Sequence, residues 1–402
     1  MPERPVYLDN HATTRTDPRV VAAMLPFFTT CYGNAASVGH RYGWEAADAL
    51  DRARQQVAAL LHAEPEEIVF TSGATEANNL ALKGVVPSLR KKGNHLVTAA
   101  TEHRSVLDPL KHLAREGYAL TIVPPDRVGA VSAASIEAAL TEQTILVSVM
   151  AANNEVGTIN PLAEIGRLCR ERGIVFHTDA TQAVGKIPLD IAGTGADLLS
   201  LSGHKFYGPK GIGALYVRRG GASFRLLPQL EGGGQEQGRR GGTVAVPVAV
   251  GLGAAAVIAG LESASEAVRV LRLRDRLHAG LRERLDGLTL NGPTTTRLPG
   301  NLHLSIADVD GQALLMALKD VAVSSGAACS AAEGGPSHVL TALGLDEALA
   351  RASLRFGLGR FTTAEEVEFA IDYVATVVER LRGRSLSTGG LTSHQSQRSV
   401  RR

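Results

Sequence analysis

The chain contains 402 residues, of which 44% are hydrophobic and 20% are charged, and its formal net charge is +2. A chain of this length is too long for one simple core and suits about two domains. Residues 383–402 hold four arginines and no acidic residue, so the remainder of the chain has a net charge of −2. Such a balanced body excludes a nucleic-acid-binding surface built on excess basic charge, and no direct nucleic-acid partner is predicted.

The three cysteines are too few for a disulfide framework and lack the spacing of metal ligands. We therefore expect no resident metal and a reducing, cytoplasmic setting. The N-terminal sequence, MPERPVYLDN, is polar and charged from its start and is not expected to be a signal peptide. Residues 244–261 are uncharged and rich in alanine, glycine and valine, and they include Pro247. We expect this run to be a helix buried against a sheet or a subunit interface, and not a membrane span.

From about residue 66 the chain alternates short apolar runs with amphipathic segments, such as residues 164–171. This alternation predicts an α/β fold with a mostly parallel sheet covered by helices. Functional groups in such sheets gather at the carboxyl ends of the strands. The predicted strands are 68–71, 95–99, 120–123, 145–150, 174–179, 197–201 and 213–217.

Beyond residue 261 the pattern changes to a long charged helix, 265–285, followed by shorter strands at 301–306, 321–324 and 353–356. These elements predict a smaller α+β domain. The predicted division is a large domain at 16–262, a small domain at 1–15 and 263–382, and a disordered basic tail at 383–402.

The sequence FTSGATEANN reads as a strand, a glycine turn and the start of a helix. Backbone N–H groups near Gly73, Ala74 and Thr75 would point out of the helix N-terminus, where an anion binds well. An ordinary capped helix with Glu76 in its first turn is the alternative. His103 comes after the next strand, in TEHRSV, and is either a ligand contact or a cap. The asparagine amides of NNEVG come after the strand at 145–150, and they orient either a ligand or a turn.

The strongest signal comes from two consecutive strands. Asp179 ends one, with Gln182 three residues later, and Lys205 comes after the other, 26 residues beyond Asp179. An aspartate at this position is either a helix N-cap or a ligand carboxylate. Together with the upstream anion site, these residues are what pyridoxal phosphate needs, namely an amine, a carboxylate and phosphate donors. Lys205 is preferred to Lys210, which comes after the strand end, in a Gly-Pro turn.

Cys329 lies in a stretch of small residues and glycines, SSGAACSAAEGG. Such a loop predicts an accessible and reactive thiol, and a small buried side chain is the alternative. No lysine or arginine is close in sequence, so a lowered pKa of the thiol is not predicted. Cys169 lies on the apolar face of a helix and is expected to be buried. For Cys31, a reactive thiol and a buried side chain both stay open.

As a set, the motifs resemble the cysteine desulfurases of the NifS/IscS type, class-V-aminotransferase-like enzymes of pyridoxal-phosphate fold type I. The resemblance runs in order over residues 6–382. It implies a large domain with a mostly parallel seven-stranded sheet and a smaller α+β domain that carries the catalytic cysteine loop. The motifs that carry it are YLDNHATT, FTSGATEANN, TEHRSVL, NNEVGT, HTDATQAVGK, SGHKFYGPKGIGALYVRR, GGTVAVP, SSGAACS and RFGLGRFTT.

The resemblance also implies a role for each candidate residue. Lys205 would carry the cofactor, His103 would stack on its ring and move protons, and Cys329 would be the nucleophile. Asp179 would pair with the pyridine nitrogen and Gln182 would donate to the ring oxygen. The remaining cofactor contacts would come from Ala74, Thr75, Asn154, Ser202 and His204, with Thr243 reaching in from a partner subunit. The substrate carboxylate would be bound by Asn34, Asn154 and Arg355, whose guanidinium fork suits a carboxylate.

The implied reaction converts L-cysteine to L-alanine, with the sulfur captured as a persulfide on Cys329. The implied acceptor is an iron–sulfur scaffold or a protein of tRNA or cofactor thiolation. A transient contact of Cys329 with an iron–sulfur cluster is the only metal contact the resemblance allows. It also implies a cytoplasmic homodimer with no membrane partner. Residues 383–402 lack the apolar, aromatic segment that housekeeping relatives present to their scaffold, so delivery to that scaffold is not predicted from the tail.

Two alternatives stay open. The first is a selenocysteine lyase or another pyridoxal-phosphate enzyme of the same fold. The Cys329 loop favours the desulfurase, because a lyase acting on selenium can dispense with a protein thiol. The second is a catalytically silent scaffold protein of this fold, and the joint presence of Lys205, Asp179, His103 and Cys329 argues against it.

Overall fold

The computed structural model describes residue 2 and residues 5–220, 224–325 and 335–392, with side chains up to residue 383. The strands are β1 (Val6–Tyr7), β2 (Ile68–Thr71), β3 (His95–Ala99), β4 (Ala119–Val123), β5 (Thr144–Ser148), β6 (Val175–Asp179), β7 (Leu198–Ser202), β8 (Gly213–Val217), β9 (Leu288–Leu290), β10 (Asn301–Ile306), β11 (Val321–Ala322), β12 (Ser324–Ser325) and β13 (Ser353–Gly357). The helices are α1 (Pro18–Met24), α2 (Pro26–Thr29), α3 (Arg41–Leu61), α4 (Ala74–Val85), α5 (Arg104–Arg115), α6 (Ala133–Ala139), α7 (Leu162–Glu171), α8 (Ile191–Thr194), α9 (Val246–Arg284), α10 (Gly311–Ala317), α11 (His338–Ala342), α12 (Glu347–Arg351) and α13 (Ala364–Thr392).

A seven-stranded sheet in the order β2-β8-β7-β6-β5-β3-β4 lies within the predicted large domain. The pairs from β7 through β6, β5 and β3 to β4 are parallel, and β8 runs antiparallel to both β7 and β2. The prediction of a mostly parallel sheet of these seven strands is confirmed. The predicted strand ends differ from the observed ones by at most two residues.

Both faces of the sheet are buried except along the edge strand β4, which explains why the other strands read as continuous apolar runs. Side chains alternate along a strand, so neighbours point to opposite faces. On β3, Leu96 packs into the core on the side of α4 and α5, and Val97 packs into the core on the side of α3, α7 and α9. Leu198 and Leu199 of β7 divide in the same way.

A separate core lies in the C-terminal half, around the antiparallel sheet β12-β13-β10-β9 and the parallel pair β1-β11. Val6 and Leu8 from the N-terminus pack in this core with residues of α9 and α13. The predicted strand 321–324 is two short strands, β11 and β12, which pair with different partners. The last helix, α13, continues to Thr392, past the predicted end of the small domain at residue 382.

The long helix α9 joins the two cores. It contains both the apolar run and the charged run, so the predicted boundary at residues 262 and 263 falls inside a helix. Pro247 does not interrupt α9, because it lies in the first turn, where a backbone N–H is not needed. A Cβ atom at Gly253 would lie 2.8 Å from Ala53 Cα, so glycine lets α9 approach α3 closely.

Among the helices in the described part of the chain, α9 is the one with enough length and apolar character to span a membrane, and half of its apolar window is buried. It packs along α1, α3 and α13. This packing agrees with the expectation of a core helix. Leu261, at the centre of α9, is nevertheless 80% exposed.

Candidate active site

A cavity of about 620 Å³ opens at the sheet edge where the parallel strands β2, β5, β6 and β7 end. Parallel strands bring their carboxyl ends to one edge, so residues that are far apart in sequence meet there. The predicted site residues that line this cavity are Ala74, Thr75, His103, Asn154, Asp179, Gln182, Ser202, His204, Lys205 and Arg355.

The N-terminus of α4 forms one wall of the cavity. Gly73 precedes the helix with φ of 152°, and no side chain caps the first turn. A Cβ atom at Gly213 would lie 2.7 Å from Gly73 Cα, so both positions require glycine. Glu76 lies in the first turn, as the capped-helix alternative has it, but the N-cap residue is Gly73, which has no side chain. Glu76 accepts the N–H of Ser72 at 2.8 Å and forms an ion pair with Arg240. The wall therefore offers backbone N–H groups that fit a phosphate.

His204 lies next to this wall, directly after β7. Its Nδ1 lies 3.0 Å from the Thr13 hydroxyl. Burial, with the charges of Lys205 and Lys210, lowers the pKa of His204 to about 4. A neutral ring whose Nδ1 accepts from Thr13 carries its proton on Nε2, where it can donate to an anion.

Asp179 ends β6 and is 5% exposed. Its Oδ2 accepts from Asn78 Nδ2 at 2.8 Å and its Oδ1 accepts from the backbone N–H of Thr181 at 2.9 Å. No salt bridge to Asp179 is found among the described residues. A buried carboxylate held only by neutral donors fits a cationic ligand group such as a protonated pyridine nitrogen.

Asn78 and Ser105 link Asp179 to His103. The fully buried Asn78 amide donates to Ser105 Oγ at 2.8 Å, and Ser105 Oγ lies 2.8 Å from His103 Nδ1. The interpretation of single motifs missed both residues. They lie inside FTSGATEANN and TEHRSVL, but nothing local in those motifs indicates that the two helices α4 and α5 meet there.

His103 caps α5 and lines the cavity. Burial lowers the pKa of its imidazole, Lys205 lowers it further, and the charge of Asp179 opposes the shift. The ring is therefore neutral near neutral pH and can accept a proton.

The acidic limb of the pH profile should reflect this lowered pKa. A base with a lowered pKa keeps its proton-accepting form as the pH falls, so we expect kcat/KM to decline only below about pH 6.5, the ordinary value for histidine. The measurement is kcat/KM between pH 5 and 9 for L-cysteine, the substrate that the resemblance implies, with His103→Gln as the control that loses this limb. A decline that begins above pH 7 and persists in His103→Gln would show that another group controls the acidic limb.

Lys205 comes after β7 in a single 3-10 turn, Gly203–Lys205. Its Nζ donates to the carbonyl oxygens of His11 and Ala12 at 2.7 Å each. The motif YLDNHATT thus supplies a wall of the cavity, a role that its sequence did not reveal. Lys210 is exposed at the rim of the cavity, in agreement with the choice of Lys205.

Arg355 reaches the cavity from β13 of the small domain and is 4% exposed. It forms an ion pair with Asp9 at 2.9 Å and donates to the carbonyl of Asn154 at 3.0 Å. Its buried Nε has no hydrogen-bond partner in the described part of the chain. The residue lines the cavity together with Asn154, and its guanidinium fork suits a ligand carboxylate.

Two residues on the C-terminal side of the cysteine segment form hydrogen bonds with residues that come after β3 and β5. Ser337 Oγ donates to Glu155 Oε2, and His338 Nε2 donates to the carbonyl of Glu102 at 2.9 Å. Burial raises the pKa of Glu155 to about 7. Cys329 itself lies outside the described residues.

Two predicted residues lie away from the cavity of their own chain. Asn34 lines a different cavity, of about 310 Å³, and its Oδ1 accepts the N–H of Ala36 at 3.0 Å. The structure therefore does not bring Asn34 to Asn154 and Arg355 within one chain, because a local turn before α3 holds its side chain. Thr243 is exposed and does not line the cavity.

Residues 6–369 match the model of the family described as aminotransferase class-V. The chain is 55% identical over 378 residues to a protein of Anaeromyxobacter dehalogenans named cysteine desulfurase IscS, with 94% of this chain and 93% of that protein covered.

Two solved structures are similar over most of the chain. A NifS-like protein has a TM-score of 0.87 and 37% identity, covering 94% of this chain and 100% of its own. SspA in complex with cysteine has a TM-score of 0.79 and 36% identity, covering 89% of this chain and 99% of its own.

Proposed function

The chain belongs to the class-V aminotransferase family and is a pyridoxal-phosphate-dependent cysteine desulfurase, and from this premise we propose that Cys329 takes the sulfur of L-cysteine. The observation that carries the assignment of residues is the meeting of Lys205, Asp179 and Arg355 on one cavity. An amine, a carboxylate and an unused guanidinium donor are the groups that the cofactor and an amino acid substrate need.

Each part of the cofactor can be matched to residues of the cavity. Lys205 would hold the aldehyde carbon and Asp179 the ring nitrogen, at opposite ends of the ring. The N-terminus of α4, with Ala74 and Thr75, would hold the phosphate. Ser202 and His204 would add donors there, with Gln182 near the ring oxygen. When bound, pyridoxal phosphate stabilises negative charge at the α-carbon of an amino acid.

Arg355 and Asn154 would bind the substrate carboxylate, because both residues line the same cavity and a guanidinium suits a carboxylate. This contact orients the α-carbon toward Lys205 and His103. The neutral imidazole of His103 would then accept and return a proton.

Sulfur transfer needs a thiolate. The Cys329 thiolate would attack the substrate sulfur, forming an S–S bond while the Cβ–S bond breaks and its electron pair passes to Cβ. A proton then completes the methyl group of L-alanine, and the sulfur stays on Cys329 as a persulfide. An added thiol reductant releases it as sulfide.

A homodimer is part of the proposal. Thr243 is exposed on its own chain, which leaves it available to a second copy. Large apolar side chains are also exposed near the N-terminal helices, including Phe28 at 58% and Trp44 at 56%. Such patches are typical of subunit interfaces. The sulfur acceptor, an iron–sulfur scaffold or a thiolation protein, and the cytoplasmic location are likewise proposed.

The test is a product assay on the purified holoenzyme with a thiol reductant. We expect L-cysteine to yield alanine and sulfide in equal amounts. Turnover of L-selenocysteine with no turnover of L-cysteine would favour the lyase, and no alanine from either substrate would favour a silent scaffold. Light scattering gives the oligomeric state in the same preparation.

A further inference from the structure

A third lysine, besides Lys205 and Lys210, lies close to the cavity, and the roles given above do not use it. Lys186 comes one turn after Gln182 and is partly buried, and its Nζ donates to Gln182 Oε1 at 2.7 Å. The charged groups around its ammonium are Lys205, Arg355 and Glu266. Burial, together with Lys205 and Arg355, lowers the pKa of Lys186 to about 7. A lysine kept in such surroundings loses solvation, so its contact with Gln182 replaces bonds to water.

Lys186 determines which end of the Gln182 amide is the oxygen. The ammonium form of Lys186 only donates, and the atom that faces it is then Oε1. His11 agrees with this assignment, because Gln182 Nε2 donates to the carbonyl of His11 at 2.9 Å. His11 Nδ1 lies 3.1 Å from Oε1 and donates to it when the imidazole carries its proton there. Burial and the surrounding cations lower the pKa of His11, so its ring is neutral.

The second N–H of Gln182 is thereby left for a ligand. An amide nitrogen carries two hydrogens, and one of them is used by the His11 carbonyl. Gln182 lines the cavity that contains Lys205 and Asp179. Within the described residues, no second acceptor for Nε2 is found.

We propose that Lys186 is a positioning residue: by holding Gln182 Oε1 it turns the Gln182 Nε2–H toward the ring oxygen of pyridoxal phosphate. This inference rests on the proposed role of Gln182. When Lys205 is bonded to the cofactor, its Nζ no longer donates to the carbonyls of His11 and Ala12 and so no longer holds this segment in place. Lys186 then still holds the amide, because its Nζ can donate to Oε1 in either the charged or the neutral form.

The test compares three variants of the full chain loaded with pyridoxal phosphate. Lys186→Met removes the donor and the charge, Lys186→Gln keeps a donor without the charge, and Lys186→Arg keeps both. The readouts are the cofactor dissociation constant and the pH midpoint of the cofactor absorbance, with kcat and KM beside them. A weakened donor to the ring oxygen, and the loss of a nearby cation, both stabilise the protonated form of the Lys205–cofactor linkage.

For Lys186→Met we therefore expect the pH midpoint to rise by about one unit and kcat to fall about tenfold. Positioning predicts that Lys186→Gln retains most of the wild-type kcat, because an amide can still donate to Gln182 Oε1. If Lys186→Gln is as defective as Lys186→Met, Lys186 acts through its charge and the positioning role is wrong.

A double-mutant cycle with Gln182→Ala makes the same decision. If Lys186 acts through Gln182, then Lys186→Met, which raises the pH midpoint and lowers kcat in the otherwise wild-type chain, causes no further change in the Gln182→Ala background. Additive effects would overturn the inference. Failure of the wild type to bind the cofactor or to consume L-cysteine would contradict the proposed function itself, and a normal wild type with unaffected variants would contradict only the role of Lys186.

Discussion

Lys205→Ala is expected to abolish desulfuration, with kcat lower by about 10³-fold or more, the order found when a group that forms a covalent bond and transfers protons is removed. Lys205 Nζ donates to two carbonyl oxygens of the cavity wall, those of His11 and Ala12, at 2.7 Å each. A substitution removes the amine without disturbing Asp179, whose contacts are with Asn78 and Thr181.

Lys210→Ala is the matched control for Lys205→Ala. Lys210 is exposed at the cavity rim and lies in the same glycine-rich segment. The measurement is turnover of L-cysteine together with borohydride reduction and peptide mapping, which identify the lysine bonded to the cofactor. Label on Lys205 in the wild type and its absence in Lys205→Ala are expected. Reducible label on Lys210 in Lys205→Ala would mean that the wrong lysine has been assigned.

Cys329→Ala is expected to stop the release of sulfide, again by about 10³-fold or more, while the cofactor stays bound. The structure argues against the other two cysteines, Cys169 and Cys31, as the nucleophile. Cys169 is buried, and burial raises the pKa of its thiol to about 12, so it holds almost no thiolate at neutral pH. Cys31 is half-buried and does not line the cavity.

Cys31→Ser is the matched control, since it removes a thiol that is partly accessible but distant from the cavity. The experiment measures sulfide and alanine with excess L-cysteine, and then alkylation and mass spectrometry of the persulfide. We expect the persulfide on the peptide that contains Cys329 in the wild type and in Cys31→Ser. Full sulfide release by Cys329→Ala would contradict a persulfide at this position.

Local pattern was sufficient to predict the sheet and the residues at its carboxyl edge. Apolar runs with helices between them predicted parallel strands, and the strand bounds agree within two residues. Asp179 and Lys205 were identified because each lies at or just beyond the end of such a strand. Once the strands are parallel, geometry requires that their ends share one edge, so these two groups had to meet.

Contacts between distant segments could not be predicted in this way. His11 and Gln182 bond to each other across 171 residues, and Arg355 bonds to Asp9 across 346 residues. Asn34 was expected with Asn154 and Arg355, but a local turn holds it at another cavity of the chain. The apolar and charged runs of α9 were expected as separate segments and form one helix.

The sequence by itself therefore determined that seven strands form a mostly parallel sheet and in which order strands and helices follow along the chain. It also determined which amine and which carboxylate lie at the edge of that sheet. Periodicity shows only which face of a helix or strand is apolar. The end of a strand shows only that its last residues, and the few that follow, lie at that edge of the sheet. The tertiary structure alone decided that the N-terminal segment lines the cavity and that Lys186 contacts Gln182 beside it. The physical reason is that these residues are brought together by the packing of two cores through α9, β1 and β13, and this packing depends on side chains throughout the chain.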